Sequence, residues 1–150
     1  MTFLDELRMA LGGAVSTDTA ALGCLTTDKS GYDSRSVPLA LVTARSIDDV
    51  RAPLRLASEY RVAVVPRGAG TGLAGGAIAS TGQIVLSTLA MNRILEISAA
   101  DELAVVEPGI LNGDLNAVLA RRGLWFTPDP ASWAISTVGG NIATNAGGLL

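Results

Sequence analysis

The densest run of residues able to do chemistry is VVPRGAGTGLAGGAIASTG, Val64 to Gly82, and the chemistry it suits is anion binding. Six glycines fall between Gly68 and Gly82. Glycine costs conformational entropy on folding, so such a cluster needs a reason: positive φ, a tight turn, or a ligand pressed against bare main chain. Successive N–H groups bared by glycine form an anion-binding concavity. Arg67 at its mouth can add a charge-assisted bond worth roughly 1.5–3 kcal/mol. No Asp or Glu occurs between Glu59 and Glu96, so a diphosphate there would meet no like charge.

Two familiar phosphate loops fail on context. A P-loop ends in Gly-Lys-Ser/Thr, and this stretch has no lysine. Gly70-Thr71-Gly72-Leu73-Ala74-Gly75 is literally GxGxxG, but the dinucleotide fingerprint needs a following helix and an acid about 20 residues on. Only Gly76 to Gln83 separate the loop from the next apolar run, too few for a crossover helix, and the next acid is Glu96. A packing-only reading suits one or two glycines better than six preceded by Pro66-Arg67.

The stretch must be held by elements on either side. Phe3 to Leu11 reads as an amphipathic helix stopped by Gly12-Gly13, and Thr17 to Val37 as an extended loop. Leu39 to Thr43 reads as a strand. Ser46 reads as an N-cap, with Asp48 and Asp49 in the first turn where the helix dipole favours acids. Ile47, Val50, Leu54 and Ala57 keep helical spacing to Tyr60, and Pro53 is expected to kink or fray that helix. Val62 to Val65 has the pattern of a strand buried on both faces, and it runs straight into the glycine loop. Ile84 to Ser87 reads as the next strand. Arg93 to Ser98 and Leu103 to Glu107 read as a hairpin through Ala99 to Glu102. Ile110 to Arg122 reads as a helix with Leu111, Leu115, Val118 and Leu119 on one face, ended by Gly123. Trp125 to Trp133, holding Pro128 and Pro130, must be irregular, and Ser136 to Gly148 reads as a second glycine-rich loop.

One domain, or a piece of one, fits 150 residues. Hydrophobic residues make up 49% and aromatics only 4%, so the core is expected to be Ala, Val, Leu and Ile. Charged residues, at 17%, fall below the roughly 25% of an average domain. With a mean hydropathy of +0.40, that points to surface covered by something else. The net charge is −3 and no basic cluster exceeds Arg121-Arg122, so nucleic-acid and anionic-membrane binding are unsupported. Cys24 is the single cysteine, so there is no disulfide framework and a reducing cytoplasm is expected. The start carries acids, unlike a signal peptide, and no apolar run is long enough for a transmembrane segment. The apolar, glycine-rich ending NAGGLL is expected of an N-terminal fragment.

Four motifs in order are PRGAGTGLAGGA from Pro66, VEPG ending at Gly109, PDPAS ending at Ser132 and STVGGNIATNAGG from Ser136. They resemble the flavin-binding half of the vanillyl-alcohol-oxidase-type, or PCMH-type, flavoproteins. Within these they look most like the FAD-linked 2-hydroxy-acid dehydrogenases, such as D-lactate dehydrogenase and the glycolate oxidase flavoprotein subunit. The resemblance runs from about Pro38 to the end. The residues before it form the N-terminal helix and extended loop over 1–37 read above, and the resemblance implies an incomplete FAD-binding domain over 38–150. The implied fold is α+β, a small parallel βαβ subdomain followed by the start of a mixed or antiparallel sheet subdomain. By the same resemblance, the first loop wraps the FAD pyrophosphate through main-chain amides, which assigns Pro66, Arg67, Gly68, Ala69, Gly70, Thr71 and Gly72 to it, with Leu73 and Gly76 closing the loop. Ser136, Thr137, Gly139, Gly140, Asn141 and Thr144 are implied on the other side of the diphosphate and along the ribityl chain. Pro130 and Ser132 are implied at the approach to the flavin.

Each assignment has a bland alternative. Thr137 and Thr144 would also serve to cap a short helix beginning near Gly139, and Asn141 and Asn145 to satisfy local backbone. Trp125 and Trp133 read as core or interface, Cys24 as a small residue without redox work, Asp101 and Glu102 as turn charges, and Glu107 as a strand-end carboxylate with no catalytic role. Some relatives tether FAD through a histidine in the first loop. Here that neighbourhood holds Thr71 and the chain has no histidine, so the resemblance implies non-covalent FAD and catalytic residues beyond Leu150. The implied reaction oxidises a small 2-hydroxy acid to a 2-oxo acid by hydride transfer to FAD, with electrons passed to a further acceptor. The rivals are a flavin enzyme of the same fold acting on a sugar, aromatic alcohol or ether lipid; a non-catalytic nucleotide-binding module; and a structural domain. Uncovered apolar surface predicts poor solubility alone, or a homodimer.

Overall fold

The computed structural model describes residues 1–149. Helix α1, Phe3–Leu11, starts at a capping box: the Thr2 hydroxyl accepts from the Asp5 N–H, and the Asp5 carboxylate accepts from the Thr2 N–H at 2.9 Å. It buries Phe3 and Leu7 and stops at Gly12. A single 3₁₀ turn leads to β1, Val15–Ser16. The expected loop over Thr17 to Val37 in fact contains a five-residue helix, α2, Thr19–Gly23. The Asp18 carboxylate caps it, accepting from the Ala21 N–H at 2.8 Å. Leu22 is the side chain it buries, so no hydrophobic period could show.

Strand β2, Ala40–Thr43, alternates buried and half-buried. Helix α3, Ile47–Tyr60, is capped by Ser46 as its sequence predicts, the hydroxyl accepting from the Asp49 N–H at 3.2 Å. The helix continues through Pro53, whose ring is fully buried; that burial offsets the bond the Asp49 carbonyl forgoes. Strands β3, Ala63–Arg67, and β4, Gln83–Ser87, complete a sheet of order β1-β2-β4-β3. β4 lies parallel to both neighbours, with Val85 opposite Leu41 on one side and Val65 on the other. Burial on both faces belongs to β4, not β3. Ile84, Val85, Leu86 and Ser87 are all buried, whereas β3 is an edge strand burying only Val65. An edge is also where a strand tolerates proline, here Pro66, which has no N–H.

Side chains alternate across the sheet. Ile84 and Leu86 join Phe3, Leu7, Val42, Leu56 and Ala57 in the main core under α1 and α3. Val85 and Val65 face the other way, toward Leu22, Leu25 and Ala79. Beyond β4 come β5, Ile94–Ser98, and β6, Leu103–Val106, paired antiparallel as the expected hairpin. Helix α4, Asn112–Leu119, packs on it through Leu115 and Leu119, and a 3₁₀ turn over Ala120–Arg122 ends at Gly123. Leu111 precedes the helix and Val118 is only half-buried. The inward stripe is instead Asn112, Leu115, Asn116 and Leu119, half of it polar. The second glycine-rich loop is in large part a helix, α5, Val138–Ala143. A parallel β-α-β unit followed by an antiparallel hairpin makes the fold α+β, as expected.

Candidate cofactor-binding site

Between β3 and β4 the chain crosses from edge to centre of a parallel sheet with no helix, which removes the Rossmann reading by geometry. Among the described residues, the N–H groups of Gly68, Ala69, Gly70, Thr71 and Gly72 donate to no protein acceptor. All five residues are half-buried, so consecutive donors stand ready for an anion. A β-carbon at Gly72 or Gly76 would meet nothing within 4 Å, so internal packing does not require glycine there. Gly70 differs: its φ is +69°, and a β-carbon would lie 2.5 Å from Arg67 Nη2. Leu73 is 79% exposed, on the outer limb of the loop with Gly76.

Arg67 folds back on its own loop. Its Nη1 donates to the Ala77 carbonyl at 2.6 Å and its Nη2 to the Cys24 carbonyl at 3.5 Å. Burial lowers its pKa, partly offset by the negative charge of Asp28. Cys24 itself is exposed.

Thr137 caps α5, its hydroxyl accepting from the Gly140 N–H at 3.1 Å. The Val138 N–H donates to the Ile110 carbonyl and the Gly139 N–H to the Pro108 carbonyl, both at 2.9 Å. A β-carbon at Gly139 would lie 2.6 Å from Pro108 Cβ, so this glycine permits a close packing contact. The first turn of α5 therefore has no free main-chain donor. Thr144 closes the helix, donating its hydroxyl to the Gly140 carbonyl at 2.9 Å. Capping, the bland alternative for both threonines, is what these hydroxyls do. Side chains remain open instead: the Ser136 hydroxyl and the Asn141 amide nitrogen are buried with no hydrogen-bond partner. Asn141 thus leaves its donor unused by local backbone.

The two segments meet at Gly68 and Thr137, where a β-carbon on the glycine would lie 2.5 Å from the threonine Oγ1. Helix α4 holds the second segment in place. It has no side-chain cap; its Asn112 and Gly113 N–H groups donate to the Ser136 and Trp133 carbonyls, each at 3.0 Å. Its buried asparagines hold the irregular stretch that follows the helix. Asn112 Nδ2 donates to the Pro128 carbonyl at 2.7 Å, while Asn116 accepts from the Phe126 N–H at 2.7 Å and donates to the Asn112 side chain at 3.0 Å. Pro130 and Ser132, both half-buried, follow directly, and the Ser132 carbonyl accepts from the Ser136 N–H at 2.7 Å. Asn112 and Asn116 are missed in the sequence, although two asparagines at i, i+4 in an apolar stripe are the signal for them. Trp125 and Trp133 are about half exposed, so neither belongs to the core.

The free amides at the end of β3 thus belong to a loop that touches, at Gly68 and Thr137, the segment carrying the unpartnered Ser136 and Asn141 donors. Residues 38–150 match the FAD binding domain family, and the chain belongs to it. It is 44% identical over 115 residues to glycolate oxidase subunit GlcD of Bacillus subtilis (strain 168), covering 77% of this chain and 24% of that protein. It is 39% identical over 147 residues to D-2-hydroxyglutarate dehydrogenase of Stutzerimonas stutzeri (strain A1501), covering 97% and 32%. Among solved structures, alkyldihydroxyacetonephosphate synthase aligns over 97% of this chain and 32% of its own, with a TM-score of 0.85 and 25% identity. The chain thus spans a quarter to a third of the length of the curated relatives it matches. The cofactor is FAD, and the orphaned Ser136 and Asn141 donors and open glycines fit its diphosphate and polyol.

Proposed function

We propose that this chain is the cofactor-holding segment of an FAD-dependent oxidoreductase that converts a small 2-hydroxy acid to a 2-oxo acid. The observation that supports this reading is that the first loop, with its free amides, touches the second segment at Gly68 and Thr137, the segment that also carries the orphaned donors of Ser136 and Asn141. In the proposed roles, the loop from Pro66 through Arg67 to Gly72 holds the phosphates, chiefly by the N–H groups of Gly68, Ala69, Gly70, Thr71 and Gly72. Ser136 and Asn141 donate from the opposite side. Thr137, Gly139, Gly140 and Thr144 shape and cap the helix that carries them. Leu73 and Gly76 close the loop, and Pro130 and Ser132, fixed through Asn112 and Asn116, line the approach to the flavin.

When bound, FAD supplies the two-electron acceptor for the hydride that leaves the substrate α-carbon. The hydroxyl proton needs a separate base, and a chain with no histidine lacks the usual one; we assign the base and the carboxylate-binding groups to sequence beyond Leu150. The substrate class rests on the names of the relatives, a glycolate oxidase subunit and a D-2-hydroxyglutarate dehydrogenase. Electrons then leave to a protein, quinone or oxygen acceptor. Without histidine, a histidyl link to FAD within these residues is impossible, and non-covalent binding is the mode proposed. A single cysteine suits the cytoplasm. Among the described residues no helix is long and apolar enough to cross a membrane.

The test is the visible spectrum of the purified full open reading frame, followed by anaerobic addition of 2-hydroxy acids. Flavin bands that denaturation releases and a 2-hydroxy acid bleaches are expected. Bleaching only by a sugar or an aromatic alcohol moves the reading to that substrate class. A colourless protein that also refuses added FAD overturns it.

A further inference from the structure

We propose that Arg67 is a positioning residue, an internal brace completed by residues 24–36, which holds the glycine loop open for its ligand without itself touching the phosphates. The proposal rests on the FAD reading for what the loop binds, and on this chain alone for what holds the loop.

The guanidinium sits inside the loop it supports. A β-carbon on Gly70 would lie 2.5, 2.8 and 3.2 Å from its Nη2, Cζ and Nε atoms, so the guanidinium fills the space beside Gly70 where a side chain would stand. On the other limb its Nη1 donates to the Ala77 carbonyl at 2.6 Å. Arg67 therefore ties the start of the loop to its far side. Nη2 reaches the Cys24 carbonyl, outside the loop altogether.

The far limb is stitched in turn to the N-terminal segment. The Ala79 N–H donates to the Leu25 carbonyl at 3.0 Å, and the Ser34 hydroxyl donates to the Ala79 carbonyl at 2.8 Å. The Thr81 N–H donates to the Ser36 hydroxyl at 3.2 Å. Ala79 is fully buried against Leu22 and Leu25. Asp28 supplies the counter-charge: one carboxylate oxygen accepts from the Ser30 N–H at 2.8 Å, and the other is buried with no hydrogen-bond partner. Burial would raise its pKa, but the polar groups of Ser30, the nearby Ala77 main chain and, least, the charge of Arg67 outweigh it and hold the carboxyl below its ordinary range. A guanidinium set beside Gly70, fixed by two carbonyls and balanced by a carboxylate is built to set a loop's shape. The match to the FAD binding domain family begins at residue 38, yet residues 24–36 supply half of this brace.

The experiment uses the full open reading frame with two variants and two readouts. Arg67→Lys keeps the charge but loses the planar fork that reaches both limbs. Ser34→Ala removes one stitch on the N-terminal side, remote from the free amides. Amide hydrogen exchange at residues 77–81, measured without cofactor, reads the loop directly. Titration with FAD at several salt concentrations reads binding. Both variants should speed exchange at 77–81 and weaken FAD binding by about tenfold, the worth of one net hydrogen bond, with the salt dependence of Kd unchanged. Protected amides in Arg67→Lys, with binding either intact or weakened and less salt-dependent, would overturn the brace and mark Arg67 as a phosphate ligand or a bystander. If the wild type binds no FAD, the functional reading falls, and the exchange rates still decide whether the brace exists.

Discussion

Glycines of similar appearance in the sequence divide by what stands against them. At Gly109 a β-carbon would overlap the Thr88 carbonyl and lie 2.8 Å from the Met91 carbonyl, both rigid backbone. At Gly72 it would meet open space. Gly109→Ala should therefore cost about 1–3 kcal/mol in urea unfolding, the range for overpacking. Gly72→Ala should stay within about 0.5 kcal/mol of wild type while lowering FAD content. Equal losses of stability in the two variants would dissolve the distinction. Ser136 makes the opposite kind of case. Its hydroxyl is buried and unpaired without cofactor, a condition that costs about 1–3 kcal/mol. Ser136→Ala should leave the cofactor-free chain as stable as wild type, or more so, and should weaken FAD binding in titration. A less stable apo variant with unchanged affinity would mean that the hydroxyl serves the protein's own packing.

Elements are held by a few long-range contacts, and the hairpin β5–β6 shows how. Arg93 donates Nη2 to Glu107 Oε1 at 2.7 Å and its own N–H to Oε2 at 2.9 Å, which fixes the two ends of the hairpin together. These bonds, the side-chain ones first, hold the Glu107 carboxyl below its ordinary value of 4.5. A depressed folded value means the unfolded chain takes up the proton more readily. The stabilisation is complete above about pH 4.5 and is lost as pH falls through the lower folded value. Urea midpoints between pH 7 and pH 3 should fall less steeply in Glu107→Gln than in wild type; parallel profiles would remove this anchor. The hairpin, α1 and α3 are legible in the sequence because their signals are local: turn residues, Gly12, Ser46. Helix α5 is legible only as the alternative in which Thr137 and Thr144 cap a short helix near Gly139, since the glycines of its first turn read as loop. It forms because the Ile110 and Pro108 carbonyls, roughly 30 residues earlier, accept its first N–H groups. Likewise the pattern of β3 cannot reveal that β4 takes the centre of the sheet. In the site, glycine spacing marks both segments that meet. Which donors stay free depends on Cys24, Ala77 and Pro108, partners set by tertiary contact.

The whole molecule shows more surface than its mass requires. A compact monomer of 15.3 kDa should expose about 7,100 Å² by surface scaling, and this chain exposes 8502 Å². The excess is more than the ~800 Å² that one partner contributes to an ordinary protein interface. Exposed large apolar side chains occur along the whole chain; late in it, Trp125, Trp133, Ile135 and Ile142 are between 43% and 72% exposed. These residues bracket Ser136 and Thr137, which are almost completely buried, so this segment is tight within and apolar without. Relatives of which this chain spans 24% and 32% have further chain to lay on such a face; the isolated segment has only a second copy of itself. It should therefore self-associate, and the double variant Trp133→Gln, Ile142→Lys should reduce that association with the urea midpoint unchanged, because neither side chain is in the core. Light scattering across a concentration series measures this directly. A wild-type chain that stays monomeric at the highest concentration would mean that the excess area reflects the irregular path of residues 124–137, and not a face shaped to be covered.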